Sequence, residues 1–359
     1  MLKVAIAGAG IGEAHMLAYG QLRARFRVVA VCDLDRARAE RVAAHDDHCA
    51  AVEALPEVLA DPDIDIVDIC LPPHLHAPVA LEAFAAGKHV ICEKPLAGSV
   101  VEADRMADAA RNTGRLLAPI FQYRYGHGLY QLAELQRRGL AGTPLVATIE
   151  THWNRGADYY AVPWRGKWAS ERGGAVLGHA IHAHDLVSGF LGPVTAVSAM
   201  VDTRVNAIET EDCAALAMRC ASGALVTSSI TLGGARDTSR LRFVFETLTA
   251  ESGRNPYAPG ADDWTFEARA PLTQVALDDA LAEMAETVAA RPVGYAGQFA
   301  AIADHLEGRP AALVTADDGV RSIELVAAVY RAARTGATVA LPLDRAEPIC
   351  SDWAPMLTG

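Results

Sequence analysis

The chain has 359 residues, more than one comfortable core and enough for two domains of ordinary size. About half of its residues are apolar and 21% are charged, the balance of a globular enzyme. A net charge of −12 argues against nucleic acid or an anionic membrane as the main partner, because a phosphate surface needs a basic face opposite it.

The first residues, MLKVAIAGAGIG, enter a strand-and-turn pattern directly, without the charged and apolar regions of a secretory leader. No apolar run reaches the roughly 18–20 residues that span a bilayer. Seven cysteines, Cys32, Cys49, Cys70, Cys92, Cys213, Cys220 and Cys350, are odd in number and scattered. A reducing, cytoplasmic location with free thiols is the expectation.

In the first third, short apolar strands alternate with helical stretches. The strands are expected at Lys3–Ala7, Val28–Cys32, Ile64–Cys70, His89–Cys92 and Leu116–Phe121. Helices are expected at Asp35–Ala44, Ala77–Ala86 and Ser99–Thr113. Continuously apolar strands separated by helices imply a parallel sheet covered on both faces. Right-handed crossovers then bring the C-terminal ends of the strands to one edge.

After residue 122 the pattern changes. A helix over Gly128–Arg138, a strand near Leu145–Thr151 and a helix from Ala175 to Leu191 are followed by longer strands. These are Val194–Val205, Cys213–Cys220, Ala224–Leu232 and Leu241–Thr247, whose short turns imply a mostly antiparallel sheet. Residues 252–264 read as a surface loop, and helices over Tyr295–Glu307 and Asp317–Thr335 close the chain. The expected division is a Rossmann domain at 1–121 and an α+β domain at 122–359 for substrate binding and oligomerisation.

Three segments carry chemistry. In GAGIGEAH, the turn formed by Gly8, Gly10, Ile11 and Gly12 follows a strand and opens a helix, where glycines let the backbone approach a pyrophosphate. Glu13 stands where a third glycine is usual, so the turn alone is a weak signal. Asp33 ends the second strand, 21 residues after Gly12, where a carboxylate can accept the adenosine ribose hydroxyls and repel a 2′-phosphate. This points to NAD, although Arg36 and Arg38 stand nearby. The bland alternative makes Asp33 a helix cap.

The other two segments are LPPHLHAPVALEAFAAGKHVICEKP (71–95) and WRGKWASERGGAVLGHAIHAHDL (164–186). With the glycine turn, they resemble the Gfo/Idh/MocA oxidoreductases, relatives of glucose-fructose oxidoreductase and the inositol dehydrogenases. That resemblance covers most of the chain. It implies that Lys94 is the catalytic-site lysine, held by Glu93 and Pro95 across a bond that is often cis in the family. Independently, a lysine ending a parallel strand lies at the sheet edge where ligands bind. A positive nicotinamide beside it would lower its pKa and help it exchange protons with a hydroxyl.

The resemblance also places Pro72, His76, Glu93 and Gln122 along the cofactor, with Leu71 replacing the usual threonine. It brings Arg124 to the site, where the chain enters the second domain. His182 corresponds to the family's active-site histidine, but Gly178 stands where an aspartate is usual, with His179 beside it. On an ideal helix, Gly178, His182 and Asp185 share a stripe and His184 points away, packed or exposed. The spacing of His179, His182 and His184 does not suit a metal. Trp153, Tyr159, Tyr160, Trp164 and Trp168 could stack on a sugar or serve the core. Arg155, Arg165 and Lys167 could recognise an acid group or form a solvated face.

The expected activity is hydride transfer between NAD and a carbinol carbon of a sugar, polyol or cyclitol, by a homodimer or homotetramer. The alternatives are an NAD-retaining epimerase or eliminase working by transient oxidation, and a non-catalytic sugar sensor. A sensor would need neither Lys94 nor His182.

Overall fold

The structure is a computed structural model describing residues 1–261 and 263–354. Residue 262 of the expected loop, and residues 355–359 of the expected second domain, lie outside the described residues. The chain forms two compact units, Met1–Gln122 with Tyr295–Ile323, and Tyr123–Gly294 with Glu324–Gly359.

In the first unit, six strands form a parallel sheet: Leu2–Ala7 (β1), Phe26–Cys32 (β2), Ala50–Val52 (β3), Ile66–Ile69 (β4), His89–Cys92 (β5) and Leu117–Pro119 (β6). Their order, β3-β2-β1-β4-β5-β6, is that of a doubly wound dinucleotide fold. Val4, Ile6, Ile66, Val67 and Ile91 are fully buried, as helices on both faces require. Those helices are Gly12–Gly20 (α1), Arg36–Ala43 (α2), Leu55–Ala60 (α3), His76–Ala85 (α4) and Val100–Thr113 (α5). Asp35 and Ser99 cap α2 and α5 by accepting the amides of Arg38 and Glu102. Strand β3 and helix α3 were not expected, because three and six residues are too short to show a period.

The grouping differs from a cut at 121/122, because residues Tyr295–Ile323 pack with the first unit. Phe299 stacks on Tyr19 with ring centroids 4.1 Å apart. The Gln298 side chain accepts the Phe121 amide at 3.0 Å and donates to the Pro119 carbonyl at 2.7 Å. A late helix thus completes an early core by burying its apolar face there.

In the second unit, eight strands are Pro144–Asn154 (β7), Val194–Asp202 (β8), Cys213–Cys220 (β9), Leu225–Thr231 (β10), Gly233–Phe245 (β11), Leu248–Glu251 (β12), Thr265–Ala268 (β13) and Val339–Ala340 (β14). Their order is β13-β12-β11-β7-β10-β9-β8-β14. All neighbours are antiparallel except β7 and β10, which run parallel. Alternation in β9 buries Ala214, Leu216, Met218 and Cys220 and turns Ala215, Ala217 and Arg219 outward.

This unit also contains helices His127–Arg137 (α6), Ala157–Tyr160 (α7), Trp168–Glu171 (α8), Ile181–Leu191 (α9) and Gln274–Ala289 (α10). Helix α10 was not expected, although Leu277, Ala280, Met284 and Val288 form a helical stripe and Thr273 caps it. The helix expected from Ala175 to Leu191 begins with a π-helical turn over Val176–Ala180 before α9. Its wider winding changes the phase between His179 and His182, so the ideal-helix stripe does not carry across it. No helix among the described residues is long and apolar enough to cross a membrane.

Candidate active site

The order of the first sheet decides where chemistry can collect. Chain connections reverse direction between β1 and β4, and ligands bind such sheets outside the carboxyl ends of the strands at that point. Gly8 follows β1, Leu71 and Pro72 follow β4, and Lys94 follows β5. A Cβ on Gly8, which has φ +104°, would meet the Cys70 carbonyl oxygen at 2.4 Å. One on Gly12 would meet Ile6 at 2.7 Å, while Gly10 faces open space. Asp33 closes the turn by accepting the Ala9 amide at 2.8 Å and the Asp35 amide at 2.9 Å. Two of its roughly four lone-pair positions then remain for hydroxyl groups. Arg38 lies 3.8 Å away, whereas Arg36 is paired with Glu40 and Glu53. Among the described residues, the buried Oε1 of Gln122 has no hydrogen-bond partner. An open glycine turn, a carboxylate with spare acceptors and an orphaned amide oxygen fit a dinucleotide.

Glu93 is buried, and its Oε2 accepts the amide of Lys94 at 2.9 Å. Its Oε1 accepts the Tyr295 hydroxyl at 3.0 Å and His15 Nε2–H at 3.1 Å. His15 Nδ1–H donates to Asp68 at 2.8 Å, and the Tyr19 hydroxyl donates to the same carboxylate at 2.9 Å. A ring that donates from both nitrogens is doubly protonated. Burial alone lowers its pKa, but the Asp68 carboxylate outweighs this and holds the imidazolium well above the ordinary histidine value. His15, Asp68 and Cys70 are near enough together to hold a metal ion. Their spacing is that of the hydrogen bonds just described, and burial pushes the Cys70 thiol up to about 12. The Lys94–Pro95 bond is cis.

His76 is fully buried, with its ring nitrogens 2.8 Å from the Pro95 carbonyl and 2.7 Å from that of Leu71. It braces the two loops that follow β4 and β5. Burial pushes its pKa down, against the two carbonyls. Pro72 opens the short turn that leads to it.

In the second unit, His179, His182, His184 and Asp185 are all buried. His182 stacks on Tyr123 with centroids 4.3 Å apart. Asp185 binds Arg124 through two hydrogen bonds of 2.6 and 2.7 Å. Arg124 is therefore charge-compensated. His184 Nε2 lies 3.0 Å from Ser228 Oγ, and burial pushes its pKa down to about 4. His179 Nε2 lies 3.4 Å from the Tyr159 hydroxyl, and its ring meets that of Trp153 edge-on. Trp153 is buried with its indole N–H on Ser239, while Trp164 is 39% exposed.

Sequence reasoning missed His15, Asp68, Tyr123 and Tyr295. Asp68 had a signal, since a lone carboxylate inside a continuously apolar strand requires a partner. Tyr295 had none, lying 202 positions from Glu93.

A glycine turn after β1, an acid ending β2 and a lysine after β5 are the features of a dinucleotide-binding unit. Residues 2–121 match the model described as "Oxidoreductase family, NAD-binding Rossmann fold", and residues 129–251 match the GFO/IDH/MocA C-terminal domain. The chain belongs to the GFO/IDH/MocA oxidoreductase family. It is 31% identical over 212 residues to levoglucosan dehydrogenase from Pseudarthrobacter phenanthrenivorans, covering 56% of this chain and 54% of that protein. It is 27% identical to 1,5-anhydro-D-fructose reductase from Ensifer adhaerens, covering 80% and 82%. Several of the curated relatives are thus matched over about half of their length. Among solved structures, the WlbA dehydrogenase from Bordetella pertussis, in complex with NADH and UDP-GlcNAcA, superposes with a TM-score of 0.81 at 27% identity. That match covers 96% of this chain and 99% of the other.

Proposed function

We propose that the protein is an NAD-dependent dehydrogenase that oxidises a carbinol carbon of a sugar, polyol or cyclitol. The observation that carries this reading is Lys94, set after β5 on the ligand-binding edge of a Rossmann sheet and braced by Glu93, in a chain of this family. The printed names of the relatives, and the NADH in the Bordetella structure, support it. When bound, NAD supplies the hydride acceptor. Gly8, Gly10, Ile11 and Gly12 would cradle its pyrophosphate, Asp33 would accept its ribose hydroxyls, and Pro72, Glu93 and Gln122 would border it. In the first unit Lys94 serves as the proton-exchanging group; in the second, His182 is the acid–base group, with His179 assisting through Tyr159. Arg124, Trp153, Trp164 and Arg165 line or support the substrate pocket. With NAD as the hydride acceptor, the protein would take up the proton released as the carbinol becomes a carbonyl.

A cytoplasmic homodimer or homotetramer is part of the proposal. Among the described residues no disulfide joins two cysteines. The open face of the second sheet presents Val146, Leu225 and Met200, the last 79% exposed, among Ala215 and Ala217. Such a surface suits a second copy of the chain. Light scattering at micromolar concentration should give a multiple of 38.0 kDa, and a monomer would remove this part.

The test of activity is reduction of NAD⁺ and NADP⁺ across a panel of sugars, polyols and inositols, read at the NADH absorbance. Turnover with net NADH release is expected. Conversion of substrate with NAD retained and no NADH released would move the assignment to an epimerase or eliminase.

A further inference from the structure

Among the described residues, the side chain of Arg165 is a cation that pairs with no carboxylate. It follows helix α7, and its guanidinium lies over the Tyr159 ring, 3.7 Å from the centroid, and 5.1 Å from the Trp164 ring. Tyr159 presents its hydroxyl to His179 at 3.4 Å. Stacking fixes the plane of a guanidinium but leaves its edge, with the N–H donors, open to a ligand.

The other cation against Tyr159 is Arg155, 5.3 Å from the same ring. It is compensated by Asp237 at 2.8 Å and braced by the Tyr257 hydroxyl at 3.2 Å. Arg165 differs. Among the described residues no carboxylate pairs with it, and its buried Nε finds no acceptor. Glu171, the acid nearest in sequence, instead accepts the Gly166 amide at 2.5 Å. Native structures leave few buried donors unsatisfied, so this one calls for an explanation. Lys167, the next cation along the chain, is exposed.

We propose that Arg165 docks a carboxylate of the substrate, making the site selective for an acidic sugar, a uronate or aldonate, over its neutral counterpart. One uncompensated cation matches one negative charge. The planar fork of arginine suits the two oxygens of a carboxylate, whereas a phosphate dianion would call for a second free cation. Trp164, partly exposed beside the guanidinium, offers an aromatic face for the ring that bears the acid. Tyr159 links this anchor to His179, so a substrate held by its acid group has a carbinol directed toward the histidines of the second unit. The inference rests on the dehydrogenase reading above.

The test uses the full-length protein with NAD⁺ and matched pairs: D-glucose with D-glucuronate, D-galactose with D-galacturonate, and D-glucose 6-phosphate. The acidic member of a pair should have the higher kcat/KM. Arg165→Gln should lower the acidic-to-neutral ratio about 10- to 100-fold, mainly through KM, as loss of a charged hydrogen bond implies. Arg165→Lys should recover part of that ratio, because it keeps the charge and loses the fork. A preference for neutral sugars or for the phosphate, or equal losses on both members, overturns the carboxylate assignment while leaving the dehydrogenase reading in place. Thermal shift separates the two claims if nothing in the panel reduces NAD⁺. Stabilisation of wild type but not Arg165→Gln by a uronate still supports the anchor, and no stabilisation overturns it.

Discussion

Replacing His15 by leucine probes the buried network beneath Lys94. In the folded unit the ring donates to Asp68 and Glu93 at once, and all three groups are buried. Leucine would fill much of the space but strand two carboxylates away from water. Removing one partner of a buried ion pair typically costs about 3–5 kcal/mol. In a domain of this size each kilocalorie moves the midpoint about 2–4 °C, so a fall of about 6–20 °C is expected. The sign with pH follows from the raised pKa of His15. The folded ring keeps its proton after the unfolded one has lost it. Its stabilisation is therefore complete below about pH 6.5, the unfolded value, and is lost as pH rises through the higher folded value. Thermal melts of wild type, His15→Leu and His15→Leu/Asp68→Val at pH 6 and at pH 9 measure both effects. The double variant should recover part of the loss, since Asp68 no longer needs a counter-charge. A single variant that melts within about 2 °C of wild type at pH 6 would show that the network does not hold an imidazolium.

Lys94→Ala and His182→Ala should each lose at least about two decades of kcat while still binding NAD, as loss of an acid–base group implies. His179→Ala should lose less, and steady-state kinetics with retained full kcat in His182→Ala would transfer the role to His179. His184→Ala should act on stability instead, through its buried contact with Ser228, and a melt compared with kcat separates the two. Asp33→Asn keeps the side chain's shape but removes its charge, so the NAD-to-NADP ratio of kcat/KM should fall about 10- to 100-fold. An unchanged ratio would remove Asp33 as the reader of the ribose. Glu211 is fully buried, and burial pushes its carboxyl up to about 7, against hydrogen bonds from the Gly174 and Val176 amides and the Tyr330 hydroxyl. A raised acid contributes stability below about pH 4.5 and loses it as pH rises through 7, on the order of 3 kcal/mol. Glu211→Gln should therefore flatten the difference in unfolding free energy between pH 5 and pH 8, and an unaltered difference would contradict that assignment.

The sequence by itself determined the local parts. A strand buried on both faces must be continuously apolar, so β1, β2, β4 and β5 were legible from composition alone. The alternation in β9 and β10 fixed which residues face inward. Glycine chemistry fixed the turn after β1, and the motif around Lys94 fixed its place at the end of β5. Short pieces such as β3 and α3 carry too few residues for a period, and the stripe of α10 was present but overlooked. Only the tertiary structure decided which distant groups meet. It set Phe299 on Tyr19, Tyr295 on Glu93 and Arg124 on Asp185, pairings across 280, 202 and 61 positions. It also placed a π-helical turn before α9, altering the phase of the histidines, and left Arg165 without an acid among the described residues. Periodicity reports which face of an element is buried, whereas charge compensation depends on which elements pack together. A buried carboxylate or guanidinium announces in the sequence that it needs a partner, and the folded chain selects that partner through packing.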